Sequence, residues 1–169
     1  MSKIYRHSEL VLEKNNSQIS DFSWKASKFL ENECNSKYLH FDIKSLLPDK
    51  FSYPYHFHRN AEEIFVVLKG EATLRSPNGY ETVIEGDVIF FSEGPDGTHQ
   101  LYNHSDREFL YVDIRTKANI DICEYPDSGK MNILPTLEIF MNPSRVPYYT
   151  DEENVRKNWP QDVLKREIK

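Results

Sequence analysis

The chain has 169 residues, a length typical of one folded domain, and 13% of them are aromatic, so we expect a single core rich in aromatic side chains. Its 21 basic and 27 acidic residues give a net charge of -6 without a basic cluster, which argues against a nucleic-acid partner. The longest apolar run, Ile64–Leu68, is much shorter than the roughly 20 residues that cross a bilayer, so no membrane span is expected.

Residues 1–36 are predicted to form an N-terminal arm that contains one short helix. Four apolar residues recur at helical spacing over residues 20–31: Phe22, Ala26, Phe29 and Leu30. No apolar stretch follows the first charges, as it would in a secretory signal, so we expect a cytoplasmic protein. Cys34 and Cys123 lie far apart without a Cys-x-x-Cys motif, and both are expected to be unpaired thiols.

Residues 37–125 are predicted to be all-β. Eight short segments with strand composition are each closed by turn residues, and their even spacing indicates a sandwich or a barrel. They are Lys37–Leu46, Phe51–His58, Glu63–Lys69, Glu71–Ser76, Tyr80–Ile84, Val88–Phe91, Thr98–Tyr102 and Glu108–Arg115. Ser76-Pro77-Asn78-Gly79 has the residue order of a type I turn, so the strands on either side of it should pair as a hairpin.

Residues 126–169 are predicted to form a C-terminal arm rather than a second domain. The first part is rich in proline and has little periodicity. Thr150 and Glu153 have the spacing of a capping box, which predicts a short helix over Asp151–Asn158 that stops before Pro160.

The residues most relevant to chemistry lie near the middle of the chain. On a strand, His56 and His58 project to one side and present two imidazoles together. Imidazole is the commonest protein ligand for transition metals, Glu62 or Glu63 offers a carboxylate, and His99 offers a third imidazole. Each of these residues also has an ordinary interpretation as a surface charge or a hydrogen-bonded turn histidine.

The sequence resembles the cupin superfamily in its two motifs. The first motif, His-x-His, four residues, Glu, six residues and Gly, is matched by His56, His58, Glu63 and Gly70. The match assigns Glu63 rather than Glu62 to the motif. The second motif is matched in order by Gly86, Pro95, Gly97, His99 and Asn103, with altered gaps. Because of those gaps His104 is the alternative to His99, which keeps the three-residue gap to Asn103.

The resemblance is to small single-domain bacterial cupins, some of which are labelled sugar-phosphate-isomerase-like. It implies a double-stranded β-helix, or jelly roll, closed into an antiparallel barrel with short helical flanks. It also implies one divalent transition metal (Zn, Fe, Mn or Ni) held by His56, His58, Glu63 and His99, and a homodimer formed through the arm of residues 1–36 or the C-terminal arm.

The strand Glu108–Arg115 has two alternating sets of side chains, and one of them must face the interior. If Tyr111 faces inward, Asp113 and Arg115 become cavity groups that bind a polar substrate; in the alternative they lie on the surface. Tyr53, Tyr55 and Tyr111 are candidates for proton transfer if they line the cavity, and core residues otherwise.

Two functions are compatible with the sequence. The first is a metal-dependent enzyme of the isomerase, lyase or oxygenase type, acting on a small polar or anionic metabolite such as a sugar phosphate. The alternative is a non-catalytic module that binds a small molecule or a metal. Turnover distinguishes them, and composition does not report on turnover.

Overall fold

The computed structural model describes residues 2–15, 17–27, 30–141, 147–152, 155–158 and 160. These residues are mainly β-structure, which confirms the all-β fold class. The strands are β1 (Glu13–Lys14), β2 (Trp24–Ala26), β3 (Leu39–Leu46), β4 (Lys50–Phe51), β5 (Phe57–His58), β6 (Glu63–Lys69), β7 (Glu71–Ser76), β8 (Gly79–Ile84), β9 (Val88–Phe91), β10 (Gln100–Asn103), β11 (Phe109–Thr116), β12 (Asp121–Tyr125), β13 (Lys130–Leu134) and β14 (Glu138–Met141). The helices are α1 (Leu30–Glu33) and 3-10 turns at His7–Glu9, Pro95–Gly97 and Val155–Asn158. No helix in this described part is long and apolar enough to cross a membrane.

The strands form three antiparallel sheets. The first has the order β1-β2-β3-β11-β6-β9, the second β4-β10-β7-β8 and the third β14-β13-β12-β5. The predicted hairpin is confirmed, since β7 pairs with β8 and Ser76 lies opposite Gly79. Hydrogen bonding is interrupted between the sheets in the described residues, so the jelly roll is not the closed barrel that the resemblance implied.

The main core lies between the first and second sheets. It is formed by buried apolar residues from both: Leu46, Phe65, Val67, Ala72, Leu74, Val83, Phe91, Leu101, Phe109 and Tyr111. Phe65 packs against Phe91 and Tyr111 with ring centroids 4.9 Å apart in both pairs. This aromatic layer fills one end of the jelly roll and leaves the other end to polar residues.

The two sets of side chains on β11 are both covered. Phe109, Tyr111 and Asp113 point into the jelly roll and are buried, so the Tyr111 set is the inward one. Leu110 and Val112 point outward and pack with Ile43 under the N-terminal segment. The arm therefore covers the back of the first sheet.

The helix predicted over residues 20–31 is wrong for most of its length. Trp24–Ala26 is strand β2, which pairs with β3 so that Trp24 lies opposite Leu46. Only Leu30–Glu33 is helical, and Phe29 lies outside the described residues. The free edge of β3 offers backbone hydrogen bonds that a local helical pattern does not reveal.

The C-terminal helix predicted over Asp151–Asn158 is also wrong at its start. Asp151 has φ +66°, which is not helical, and only Val155–Asn158 forms a 3-10 turn. Glu153 of the predicted capping box lies outside the described residues. The stretch predicted as an ordered C-terminal arm contributes β13 and β14 to the third sheet.

The single strand predicted over Phe51–His58 is split between two sheets. β4 belongs to the second sheet and β5 to the third. Between them lies Pro54, which has no N–H to donate to a ladder. The break turns the chain so that both histidines of the motif reach the polar end of the jelly roll.

Candidate metal centre

His56 and His58 enter the site from the segment that joins the second and third sheets. Both side chains are buried, and their ring centroids lie 5.3 Å apart. The intervening Phe57 is buried as well but does not line the cavity that holds the two imidazoles. The alternation expected from the His-x-His pattern is therefore present, although β5 itself is only two residues long.

His99 is brought to His56 by a backbone bridge. The His99 N–H donates to the His56 carbonyl at 2.9 Å, and the His56 N–H donates back at 3.2 Å. The His99 ring stacks on Phe91 with centroids 3.7 Å apart and is 2% exposed. The altered gap after Gly97 does not turn His99 away from the site.

Glu63 opens β6 and completes the group. Its Oε2 atom lies 3.2 Å from His99 Nε2 and 3.9 Å from His58 Nε2. His56, Glu63 and His99 each offer a ligand atom within 4.8 Å of the other two, and all three are buried. A carboxylate and imidazole nitrogens thus converge on one point at the polar end of the jelly roll.

The three imidazoles use the same ring nitrogen, Nδ1, to bond to a carbonyl or carboxylate oxygen of the protein. Nδ1 of His56 donates to the Pro54 carbonyl at 2.8 Å, and Nδ1 of His99 donates to the Gly97 carbonyl at 2.9 Å. Nδ1 of His58 pairs with Asp121 Oδ2 at 2.5 Å. Because each Nδ1 carries the proton, each Nε2 presents a lone pair, the form that binds a metal.

Glu63 Oε2 and His99 Nε2 are buried, and neither has a hydrogen-bond partner. The two atoms lie 3.2 Å apart, and burial makes it costly to leave either of them without a partner. A divalent transition metal between them satisfies both atoms at once. The residues present therefore fit a metal of the type that takes imidazole and carboxylate ligands.

The electrostatics of the group favour the metal-binding protonation states. Burial, with the nearby His99, holds the pKa of His56 well below its ordinary value, so the imidazole is neutral. Burial on its own raises the pKa of Glu63, but the adjoining His99, Asp113 and His58 outweigh it and hold that pKa well below the usual range. A neutral imidazole at His56 and an ionised carboxylate at Glu63 are forms that coordinate a metal.

The group lies in a cavity of about 380 Å³. Most of the residues that line it carry a polar or charged group, and the full set is Glu31, His40, Phe41, Asp42, Lys44, Tyr53, His56, His58, Glu63, Asp113, Arg115, Cys123, Tyr125, Asn132 and Leu134. Of the two alternatives for β11, the one that makes Asp113 and Arg115 cavity groups is correct. A volume of this size accommodates one small metabolite.

A buried ion pair forms part of the cavity wall. Lys44 donates from its Nζ to Asp113, and both side chains are almost fully buried. Burial opposes the charge of Lys44, yet Asp113 holds the pKa of the amine well above its ordinary value, so the amine stays cationic. Burial raises the pKa of Asp113 to about 7, against the effect of Lys44.

Several candidates lie outside the cavity. Glu62 is exposed, and His104 bonds to Thr73 Oγ1 at 2.8 Å on the surface, so His104 does not replace His99. Tyr55 stacks under Arg75, and Tyr111 is fully buried in the core; Tyr53 is the only tyrosine of the three proton-transfer candidates that lines the cavity.

Other site residues were not identified from the sequence. Asp121 fixes the His58 ring, while Lys44, Tyr125 and Asn132 line the cavity. Asn132 of β13 lies opposite Cys123 of β12, and Cys123 lies opposite His58 of β5. These three residues form one row across the third sheet, and this row reaches the site.

The two cysteines differ in environment, and both are unpaired, as predicted. Cys34 is exposed, whereas burial raises the pKa of the Cys123 thiol to about 12. At pH 8 the thiolate fraction of Cys123 is then about one part in ten thousand. Cys123 nevertheless presents its sulfur within 4.8 Å of ligand atoms of His56 and His58.

We expect a thiol-specific reagent at pH 8 to label one equivalent quickly in the native, metal-free protein and the second only after unfolding. The fast equivalent is Cys34, because its thiol is exposed and that of Cys123 is buried and protonated. The measurement is a stopped-flow thiol titration, with Cys34→Ser as the control that removes the fast phase. A fast phase that survives in Cys34→Ser contradicts the prediction.

Comparison with known proteins identifies relatives of the fold. Residues 43–115 match the family described as Cupin domain. A structure from Acidithiobacillus ferrooxidans, to which sugar phosphate isomerase activity is attributed, superposes with a TM-score of 0.73 at 22% identity, over 83% of this chain and 91% of that one. A sugar phosphate isomerase of the cupin superfamily from Silicibacter pomeroyi gives a TM-score of 0.67 at 19% identity, over 74% and 81% of the two chains. These likenesses establish the fold.

One curated relative is more similar in sequence. An auxin-binding protein from Nicotiana tabacum is 30% identical in an alignment of 123 residues that covers 68% of this chain. The chain spans 62% of the length of that relative. The shared region thus covers much of this chain but leaves over a third of the plant protein unmatched.

Proposed function

Since residues 43–115 are a cupin domain, we propose that the protein is a metal-dependent enzyme acting on a small polar or anionic metabolite, such as a sugar phosphate. The observation that carries this proposal is the pair of unpartnered buried acceptors, Glu63 Oε2 and His99 Nε2, beside two further imidazoles in a polar cavity. Of the two bacterial structures of similar fold, one is named as a sugar phosphate isomerase and the other has that activity attributed to it, which supports the choice of substrate.

His56, His58, Glu63 and His99 would hold the metal, and when bound it polarises a carbonyl or hydroxyl oxygen of the substrate. The protein's own side chains orient the substrate and donate protons to it. Tyr125 lines the cavity, and burial together with the adjoining Cys123 raises its pKa, so its hydroxyl keeps its proton and is available as a donor. Lys44 remains cationic and stabilises negative charge that develops nearby.

A second candidate function is a non-catalytic binding module. The specific observation in its favour is the relative from Nicotiana tabacum, which is named as a binding protein. The same cavity and the same metal ligands serve this function, because an acidic ligand can bind a metal without reacting. Turnover is the property that separates the two candidates.

The experiment begins with protein purified without a histidine tag and analysed for metal by mass spectrometry. A panel of sugar phosphates and keto acids is then screened for conversion, with oxygen consumption followed in parallel. We expect an activity that a chelator removes and the native metal restores. Stoichiometric metal and saturable ligand binding without conversion support the binding module instead. Protein that contains no metal and binds none contradicts the metal-dependent enzyme, and if it also binds no small molecule it contradicts the binding module.

We also propose a homodimer formed through the edge of the third sheet. Among the described residues, β14 pairs only with β13, so its other edge is open. Four apolar side chains next to that edge are exposed: Leu137, Ile139, Phe140 and Met141. An open edge with exposed apolar residues favours pairing with a second copy of the chain.

Light scattering at micromolar concentration is expected to give the mass of a dimer. Phe140→Lys should shift the mass to that of a monomer, because it places a charge on the pairing edge. Phe90→Lys is the matched control, since Phe90 is an exposed aromatic residue on a different edge strand, β9. A monomeric wild-type protein contradicts the proposal.

The proposal of a cytoplasmic protein rests on the thiols. Cys34 and Cys123 are both free, and unpaired cysteines are typical of reducing compartments. Localisation of a fluorescent fusion tests the proposal, and export to an oxidising compartment contradicts it.

A further inference from the structure

Arg115 is the cationic residue nearest to the metal-ligand group. It lies on β11 between Glu63 of β6 and His40 of β3, so all three side chains point to the same face of the first sheet. Its Nη1 atom lies 3.2 Å from His58 Nε2. Because His58 Nδ1 carries the proton and pairs with Asp121, Nε2 accepts the hydrogen bond from the guanidinium.

Arg115 has no carboxylate partner. Among the described residues, no carboxylate oxygen lies within 4 Å of its guanidinium nitrogens, whereas Arg59 pairs with Glu124 and Arg75 with Asp127. A guanidinium has five donors that match the oxygens of a carboxylate or a phosphate. Among the described residues, the hydrogen bond that Arg115 makes in this cavity is the one to the His58 imidazole.

The lone pair that Arg115 uses is the one a metal requires. His58 Nε2 cannot accept a hydrogen bond and coordinate a cation with the same lone pair, and two cations near one imidazole repel each other. Metal binding through His58 therefore requires Arg115 to move. Once Arg115 has moved, its guanidinium donors are free to face the cavity that it lines.

We propose that Arg115 is the residue of the cavity that binds the acidic group of an anionic ligand. When a metal coordinates the lone pair of His58 Nε2, Arg115 gives up its hydrogen bond to that atom and donates to the acidic group instead. The inference rests on the proposed function, because it needs a metal at His58. Metal and anion then bind cooperatively. The metal frees the guanidinium for the anion, and by thermodynamic reciprocity the anion strengthens metal binding by the same factor.

The remaining polar atoms of the cavity define the rest of the ligand. Glu31 Oε2 and Asn132 Oδ1 are buried acceptors without a hydrogen-bond partner, and both residues line the cavity. Such acceptors are satisfied by hydroxyl donors. The ligand class is therefore a small hydroxylated acid, with a carboxylate or a phosphate facing Arg115 and hydroxyl groups facing the acceptors.

Isothermal titration of two probes, glycerate and glycerol 3-phosphate, tests the inference without turnover. Zinc-loaded wild-type protein is expected to bind at least one probe about tenfold tighter than the metal-free protein does. Arg115→Met should lose about tenfold in probe affinity in the zinc-loaded state. In the absence of a probe, the Arg115→Met protein should bind zinc several-fold tighter than wild type does, because no guanidinium competes for His58 Nε2. Arg59→Met, which removes an arginine outside the cavity, should match wild type in both titrations.

Glycerate carries a carboxylate and glycerol 3-phosphate carries a phosphate. The probe whose affinity depends on Arg115 therefore identifies the acidic group that Arg115 binds. Arg115→Gln repeats the test if Arg115→Met does not fold. Zinc affinity that is the same in the variant and in wild type overturns the inference, as does probe affinity that does not depend on Arg115. These results leave the metal-dependent function standing, whereas wild-type protein that binds no zinc or other divalent metal overturns the proposed function itself.

Discussion

Replacing Glu63 by glutamine is expected to weaken the binding of a divalent transition metal about a hundredfold. Zinc sites with four ligands bind with roughly 10–16 kcal/mol, so one ligand accounts for about 3 kcal/mol, which is about two powers of ten in Kd. Glu63 is also the only anionic member of the predicted set, which adds to the effect. A metal titration against a chromophoric chelator measures the change.

Glu62→Gln is the matched control for this substitution. Glu62 precedes Glu63 and its side chain is exposed, so the same chemical change there should leave metal affinity unaltered. In the metal-free protein, Glu63→Gln should not lower the thermal unfolding temperature, because the new amide can donate to the unpartnered His99 Nε2. Equal metal affinities for the Glu62 and Glu63 variants would rule out Glu63 as a ligand.

Replacing Gly97 by alanine is expected to destabilise the fold and to weaken the metal centre together. An added Cβ would overlap the Ser92 carbonyl oxygen and lie 2.9 Å from its carbonyl carbon and 3.0 Å from the Ser92 nitrogen. Backbone atoms cannot yield as a flexible side chain can. We expect a loss of about 3 kcal/mol in the free energy of unfolding, or a fall of roughly 9 °C in Tm.

The effect on the metal follows from the position of Gly97. Its carbonyl accepts the hydrogen bond from His99 Nδ1, so a shifted turn moves the imidazole out of the group. Gly129→Ala is the control, because Gly129 has φ +63° but no atom within 4 Å of an added Cβ, and it should cost only about 1 kcal/mol. Calorimetry and a metal titration of both variants check the prediction. A Gly97→Ala protein as stable as the Gly129 control would contradict it.

Local patterns predicted most of the strands correctly. The turn at residues 76–79, the apolar run of β6 and the alternation of side chains along β11 are properties of neighbouring residues, and they appear in the structure where expected. The helix predicted near Trp24 failed because its apolar spacing suits a helix locally, whereas the unpaired edge of β3 decided the outcome. Strands β12 to β14 form a sheet that the proline-rich sequence concealed.

The residues of the candidate site likewise fall into those that a local sequence pattern predicts and those that only the tertiary structure reveals. The sequence by itself determined the motif residues His56, His58 and Glu63, because their spacing is a property of one short segment, and it brought His99 into consideration through the second motif. Only the tertiary structure decided that Arg115 faces the cavity and lies beside His58. Lys44, Tyr125 and Asn132 join the site from strands far apart in the chain, and no local pattern distinguishes them. Spacing within a segment specifies which residues can act together, whereas contacts across sheets depend on strand order and register, which the packing of the whole chain determines.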